Sequence, residues 1–129
     1  MSPSAARPGA PLPAPILPPA TIGILGGGQL GRMLALVARR MGYRVHVFTP
    51  ERDSPAGQVA DQVVVAPYHD LAAARRFAEA VQVVTLEFEN VPVATATAIS
   101  ERTLLRPGCR ALEIAQHRVG DRKSTRLNS

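Results

Sequence analysis

A glycine-rich turn is the first part of this sequence with residue types and spacing suited to chemistry. The stretch "GGGQLG", Gly26–Gly31, fits the G-x-G-x-x-G pattern and follows an apolar, β-rich segment at 21–25. The glycines allow a tight turn between strand and helix and let the backbone approach a phosphate. The N-terminus of the following helix adds N–H groups and partial positive charge. We therefore predict ligand contact here, the alternative being a connection that binds nothing.

Two carboxylates form the second candidate site. Glu87 and Glu89 bracket Phe88 in "TLEFENVP", residues 85–92, which ends a predicted strand over 81–88. Alternation along a strand predicts that both carboxylates point to the same side. A carboxylate at the carboxyl end of a parallel strand can accept hydrogen bonds from ribose hydroxyls. For Glu87, a solvated loop carboxylate is an equal alternative.

Strands and helices alternate along the chain, which positions both candidates at one edge of a sheet. This alternation predicts an α/β fold: a small doubly wound, Rossmann-like parallel sheet with helices on both faces. Asp70 is the predicted N-cap of the second helix, and Gly42 closes the first helix, which starts at Leu30. The predicted strands are 21–25, 43–48, 62–66, 81–88 and 103–107, and the later predicted helices are 70–80, 93–101 and 109–118.

A dinucleotide is the first ligand to test against this pattern. An NAD-binding domain normally places Asp or Glu at the end of the second strand, for the ribose hydroxyls. Here that strand leads into Thr49, and Glu51 and Asp53 follow only in a loop. Arg52 lies near the end of this strand, so NADP stays an alternative ligand. An NAD(P)-binding oxidoreductase domain therefore stays an alternative, as does a non-catalytic small-molecule or interaction module.

Composition narrows the classes of partner. The chain carries a net charge of +5, but residues 21–117 hold ten Arg against nine Asp and Glu, so the excess lies at the two ends. A polyanion-binding surface would concentrate basic residues on the folded part, so we expect no nucleic-acid partner. No segment has the apolar length of a membrane span, so we expect no membrane contact. Cys109 is the only cysteine, which favours a reduced, cytoplasmic setting and excludes a CxxC metal site.

The two ends differ from the middle. Residues 1–20 hold seven of the twelve prolines and are predicted to be a disordered leader. Residues 119–129 are polar and are also predicted to be disordered. Residues 21–118 then form one domain, with His46 and His69 expected on its surface and no metal site among its residues.

Four segments in order resemble one family. "GILGGGQLGRMLA", "SPAGQVAD", "EFENVP" and "RPGCRALEIAQHR" are similar to N5-carboxyaminoimidazole ribonucleotide synthetase, an ATP-grasp ligase family, from Thr21 to Arg118. The resemblance implies a pre-ATP-grasp, substrate-binding domain. It also implies ATP-dependent carboxylation of 5-aminoimidazole ribonucleotide with bicarbonate in purine biosynthesis, with Mg²⁺ and a homodimeric full-length enzyme. Formate-dependent glycinamide ribonucleotide transformylase shares the architecture, and the same motifs favour the carboxylase.

The resemblance also assigns roles to residues. It implies that Gly28, Gln29 and Leu30 line the aminoimidazole ribonucleotide site and that Glu89 holds the ribose hydroxyls. Arg118 matches an ATP-contacting arginine. Thr49 and His117 depart from the family pattern, which commonly has Asp at both positions. The ATP-grasp domain would lie beyond residue 129, and the tail after Arg118 departs from the family, so we expect a fragment with a foreign end that is inactive alone.

Overall fold

A five-stranded parallel sheet organises the protein. The structure is a computed structural model that describes residues 14–108. The strand order across the sheet is β3-β2-β1-β4-β5, which confirms the predicted α/β class. The strands are β1 (Thr21–Leu25), β2 (Arg44–Thr49), β3 (Gln62–Val65), β4 (Val83–Leu86) and β5 (Leu104–Arg106), and the helices are α1 (Gln29–Arg40), α2 (Leu71–Glu79) and α3 (Val93–Ser100).

The strand order creates a switch point beside β1. From β1 the chain moves to β2 and β3 on one side, and then returns to place β4 and β5 on the other. Leu25 of β1 pairs in register with Leu86 of β4, so both strands end at the same edge. Ligands of open α/β sheets bind at this kind of position, outside the carboxyl ends of the strands.

Two helices show why the chain folds locally as it does. α2 begins where the Asp70 carboxylate accepts a hydrogen bond from the Ala73 N–H at 3.0 Å, which confirms the predicted N-cap. α1 ends at Arg40 with Met41 as its C-cap, and the chain leaves it through Gly42, whose φ of 97° is the left-handed conformation of a helix-closing glycine. The buried residues of α1 are small, namely Gly31, Ala35 and Ala38.

The two faces of the sheet carry separate cores. On one face, α2 and α3 cover Leu25, Phe48 and Val84. On the other face, α1 and the connection after β2 cover Ile24, Val45 and Val47. Both faces of the central strands are therefore buried, as a parallel sheet requires.

The connection after β2 and the N-terminal leader are two of the segments that differ from their predictions. The second strand was predicted over 43–48 but spans Arg44–Thr49, and the connection after it contains a short 3₁₀ turn at Gly57–Val59. Residues 14–20 of the predicted disordered leader contact the domain, since the Tyr43 hydroxyl donates to the Ile16 carbonyl at 2.6 Å. The predicted helix at 109–118 and the tail at 119–129 lie outside the described residues.

Candidate functional site

The glycine turn connects β1 directly to α1 at the switch point. Gly26 has φ of 123°, a conformation that L side chains rarely adopt, and its N–H donates to the Phe48 carbonyl at 2.9 Å. Gly28 is the N-cap of α1 and offers no side chain to cap it. The turn therefore presents backbone groups alone to the space above the sheet.

The Glu87 carboxylate fills the bottom of this turn. The Gly28 N–H donates to Glu87 Oε2 at 2.7 Å, and Glu87 is half-buried. A Cβ added at Gly28 would collide with Glu87 Oε1, and one added at Gly26 would lie 2.6 Å from Glu87 Cβ. Glu87 is therefore a loop carboxylate, as one of the two alternatives had it, but it is half-buried and bound to the turn rather than fully solvated.

The strand containing these carboxylates is shorter than predicted. β4 ends at Leu86, so Glu87, Phe88 and Glu89 form a bend rather than the end of a strand. The alternation argument for placing both carboxylates on one side therefore does not apply, because neither residue lies in the strand. Glu87 is held because its N–H donates to the Leu25 carbonyl at 3.0 Å, while Glu89 is exposed.

Gly27 fits against two buried polar side chains, a contact that the glycine pattern did not predict. A Cβ at Gly27 would lie 2.7 Å from Ser54 Oγ and 2.8 Å from Thr49 Oγ1. The Gly27 carbonyl also accepts from the Ala56 N–H at 2.9 Å. The end of β2, where an NAD-binding domain would place an acid, therefore carries a buried threonine packed against the turn.

Tyr68 is a residue of this edge that sequence reasoning missed. Its ring lies 4.8 Å from Phe88 and 6.1 Å from Phe48, measured between centroids. Burial raises the pKa of Tyr68, the charges of Glu87 and Glu51 act in the same direction, and a hydrogen bond with the Thr49 side chain opposes them. In the sequence, the only signal for this residue is that it is the aromatic residue of the segment "PYHD".

Two more of the predicted site residues lie at the start of α1. Gln29 and Leu30 begin α1 beside the turn, and both are exposed. Arg118 lies outside the described residues. The structure thus brings Gly28 into contact with the carboxylate of Glu87, and Gln29 and Leu30 follow Gly28 at the start of α1.

The described part of the chain supplies neither a metal cluster nor a membrane span. Within residues 14–108, no group of three or more His, Cys, Asp and Glu is arranged to hold a metal ion. His69 is exposed as predicted, whereas His46 is half-buried, and burial lowers its pKa. Over the same residues, no helix has the length and apolar character needed to cross a membrane.

Comparison with curated proteins finds N5-carboxyaminoimidazole ribonucleotide synthases among the relatives of this chain. The chain is 48% identical over 106 residues to the N5-carboxyaminoimidazole ribonucleotide synthase of Brucella melitensis, covering 82% of this chain and 29% of the relative. It is 44% identical over 109 residues to the enzyme of the same name from Bacillus subtilis, covering 84% of this chain and 29% of the relative. The chain thus spans less than a third of the length of these relatives.

Solved structures and a comparison with family models give the same kind of relative. An N5-carboxyaminoimidazole ribonucleotide synthetase in complex with ADP matches with a TM-score of 0.73 at 48% identity, over 76% of this chain and 26% of that one. The Aspergillus clavatus synthase in complex with ADP and 5-aminoimidazole ribonucleotide matches with a TM-score of 0.66 at 33% identity, over 73% of this chain and 25% of that one. Residues 19–116 match the ribonucleotide synthetase preATP-grasp domain. The chain therefore belongs to the ribonucleotide synthetase preATP-grasp domain family.

Proposed function

We propose that this chain is the substrate-binding part of an ATP-dependent ligase. The ligase carboxylates 5-aminoimidazole ribonucleotide with bicarbonate to N5-carboxyaminoimidazole ribonucleotide, a step of de novo purine biosynthesis. The observation that carries this proposal is the Glu87 carboxylate held on the Gly28 N–H at the switch point of the sheet. The reaction is taken from the names of the relatives, which match this chain over 106 and 109 residues.

The turn and the carboxylate suit different parts of a phosphoribosyl ligand. Gly28, Gln29 and Leu30 line the start of a helix, where the N–H groups of Gln29 and Leu30 favour negative charge and the Gly28 N–H is bound to Glu87. Glu87 uses one of its acceptor positions on Gly28, and an ionised carboxylate has about four. The remaining positions accept hydroxyl hydrogens of the ribose, and Glu89, in the same bend, is proposed as a second acceptor.

The remaining parts of the reaction belong to the full-length enzyme in this proposal. ATP, Mg²⁺ and bicarbonate would be bound mainly by residues of an ATP-grasp domain, with Arg118 contacting ATP. We assign no step of the described residues to Mg²⁺. A homodimeric full-length enzyme and a cytoplasmic location, the latter favoured by the single cysteine, complete the proposal.

Ligand titration followed by NMR tests the proposal on the 129-residue chain. Addition of 5-aminoimidazole ribonucleotide is expected to shift the amide signals of Gly26, Gly28 and Glu87, whereas NADH and NADPH leave them unchanged. Shifts caused by the nicotinamide cofactors would instead support an oxidoreductase domain. No response to any of the three would favour the non-catalytic module.

The variant Glu87→Gln sharpens this test. Replacing the carboxylate by an amide is expected to weaken ribonucleotide binding roughly tenfold or more, since hydrogen bonds to charged groups contribute about 1.5–3 kcal/mol. Titration of Glu89→Gln measures the contribution of the second carboxylate. Glu101→Gln, an exposed residue at the end of α3, is the matched control and should bind as the unmodified chain does.

The same variants also indicate which carboxylate matters more. A loss confined to Glu89→Gln would contradict the role given to Glu87 while leaving the substrate assignment intact. Transfer of Glu87→Gln into the corresponding position of a full-length relative would then show whether the change affects turnover as well as binding.

A further inference from the structure

The Tyr68 side chain connects two segments that lie on opposite sides of β1. Its ring packs against Phe88, which follows β4, with 4.8 Å between the centroids. Its hydroxyl forms a hydrogen bond with the side chain of Thr49, the last residue of β2. β2 and β4 are the two neighbours of β1 in the sheet. Tyr68 therefore reaches across the carboxyl end of β1, where the glycine turn begins.

Tyr68 is held in this position from the side of the α2–α3 layer. The hydroxyl of Thr95, which is fully buried in α3, donates to the Tyr68 carbonyl at 2.6 Å. The Tyr68 ring also stacks on the fully buried ring of Phe48, with 6.1 Å between the centroids and 26° between the ring planes. Both the backbone and the ring are thus fixed by the core, and the hydroxyl is the group that Tyr68 presents to the end of β2.

Thr49 links the Tyr68 hydroxyl to the glycine turn. Thr49 is only 1% exposed, so its hydroxyl depends on partners inside the protein. Its Oγ1 accepts from the Glu51 N–H at 3.3 Å, a long hydrogen bond, and the Tyr68 hydroxyl is its other partner. The same oxygen lies 2.8 Å from the position that a Cβ at Gly27 would take, so it packs directly against Gly27.

The peptide unit between Gly27 and Gly28 is the part of the turn that this packing positions. Its carbonyl oxygen, on Gly27, accepts from the Ala56 N–H at 2.9 Å. Its N–H, on Gly28, donates to Glu87 Oε2 at 2.7 Å. A rotation of this one peptide would therefore disturb both hydrogen bonds, including the bond that holds the carboxylate of the candidate site.

We propose that Tyr68 is a positioning residue for the ribonucleotide site, because its hydroxyl holds Thr49 against Gly27. The identity of the ligand rests on the function proposed above, whereas the effect of Tyr68 on the turn does not. Without the phenol hydroxyl, the Thr49 side chain loses a buried partner and can turn to a second rotamer. The peptide that orients Glu87 is then less well ordered before the ligand arrives, and binding has to supply that order.

Tyr68→Phe tests the effect on the turn in the free 129-residue chain, because it removes the hydroxyl and keeps the ring. The NMR amide signals of Gly27 and Gly28 should shift. Tyr43→Phe is the matched control, since Tyr43 is also half-buried and its hydroxyl donates to the Ile16 carbonyl at 2.6 Å. It removes a comparable hydrogen bond and should leave both glycine signals unchanged.

Titration with 5-aminoimidazole ribonucleotide gives the functional readout. Tyr68→Phe should weaken binding by about two- to tenfold, the range that one neutral hydrogen bond contributes. Thr49→Val, which removes the partner hydroxyl and keeps the shape, should have a similar effect. The double variant should bind no more weakly than either single variant, because both remove the same contact. Thr49→Ser keeps the hydroxyl and should recover most of the affinity lost in Thr49→Val.

The outcomes separate this inference from the proposed function. If the unmodified chain does not bind the ribonucleotide, the proposed function fails, and the glycine amide signals still decide the role of Tyr68. Unchanged Gly28 signals in Tyr68→Phe overturn the inference. It is also overturned if Glu87→Gln weakens binding while Tyr68→Phe does not, or if the effects of Tyr68→Phe and Thr49→Val simply add.

Discussion

The two helical layers of this domain bury apolar residues in different ways. The α2–α3 layer packs large side chains, with Phe77 and Phe48 in edge contact at 5.5 Å and Ile99 fully buried beside them. The α1 layer instead meets the sheet through Gly31, Ala35 and Ala38. One layer therefore supplies most of the packed volume, and the other brings a helix close to the sheet.

This difference is explained by the glycine turn, which only the α1 layer has to accommodate. Small residues on α1 allow its first turn to lie against Glu87, since a Cβ at Gly31 would already be 3.3 Å from the Glu87 carboxylate. Bulky residues there would lift the helix and open the glycine turn. The α2–α3 layer carries no such constraint, so its side chains can be chosen for volume.

The largest effect is expected from the α2–α3 layer. Phe77→Ala should lower the free energy of unfolding by about 3–5 kcal/mol, because it removes a buried ring and leaves a cavity. Urea unfolding monitored by circular dichroism measures the change. Phe77→Leu, which keeps much of the volume, should cost clearly less, and equal losses would show that packing volume is not what Phe77 contributes.

A smaller effect on stability, but a specific one on the turn, is expected from the α1 layer. Ala35→Leu should cost about 1–3 kcal/mol by overpacking a fully buried position and pushing the helix outward. The amide signal of Gly28 should shift as its hydrogen bond to Glu87 lengthens. Arg40→Leu, on the exposed side of α1, is the control, and an unchanged Gly28 signal in Ala35→Leu would separate helix position from turn geometry.

The smallest effect concerns Tyr68, which packs against the α2–α3 core and reaches the glycine-turn edge. Burial, with Glu87 and Glu51, raises the pKa of Tyr68 above its ordinary value of 10.0. The unfolded chain then loses this proton at lower pH than the folded chain, so the free energy of unfolding should fall as pH rises above about 10. Absorbance titration in a Tyr43→Phe background isolates Tyr68, because the chain has two tyrosines.

Glu87→Gln separates the causes of that shift. Removing the carboxylate charge should bring the pKa of Tyr68 part of the way down, and burial should account for what remains. If the pKa of Tyr68 is the same in Glu87→Gln, the two groups do not interact. That result would count against their lying close together at one edge of the sheet.

The sequence predicted the elements well because their signals are local. Asp70 as a cap, Gly42 as a helix end and the apolar run Thr21–Leu25 each depend on a few neighbouring residues, and all three are found as predicted. The parallel sheet followed from their alternation. The family resemblance, based on four motifs in order, is confirmed by the match over residues 19–116.

The site was harder to predict because it depends on contacts between distant segments. Which of Glu87 and Glu89 meets the glycine turn depends on where β4 ends, and strand ends are not specified by local preference. The position of Tyr68 depends on Phe48 and Phe88, which lie twenty residues away on either side. The apolar spacing of α1 predicted a helix but not which face is buried, because Gly31 and Ala35 carry little hydrophobic signal.

The contact between Gly28 and Glu87 also makes substitutions at these two distant positions depend on each other. Any side chain at 28 would meet the carboxylate, and loss of the carboxylate would leave the Gly28 N–H without its partner. Neither residue can therefore be exchanged alone without a cost. Among descendants of this domain, we expect the glycine and the glutamate to be kept or lost as a pair.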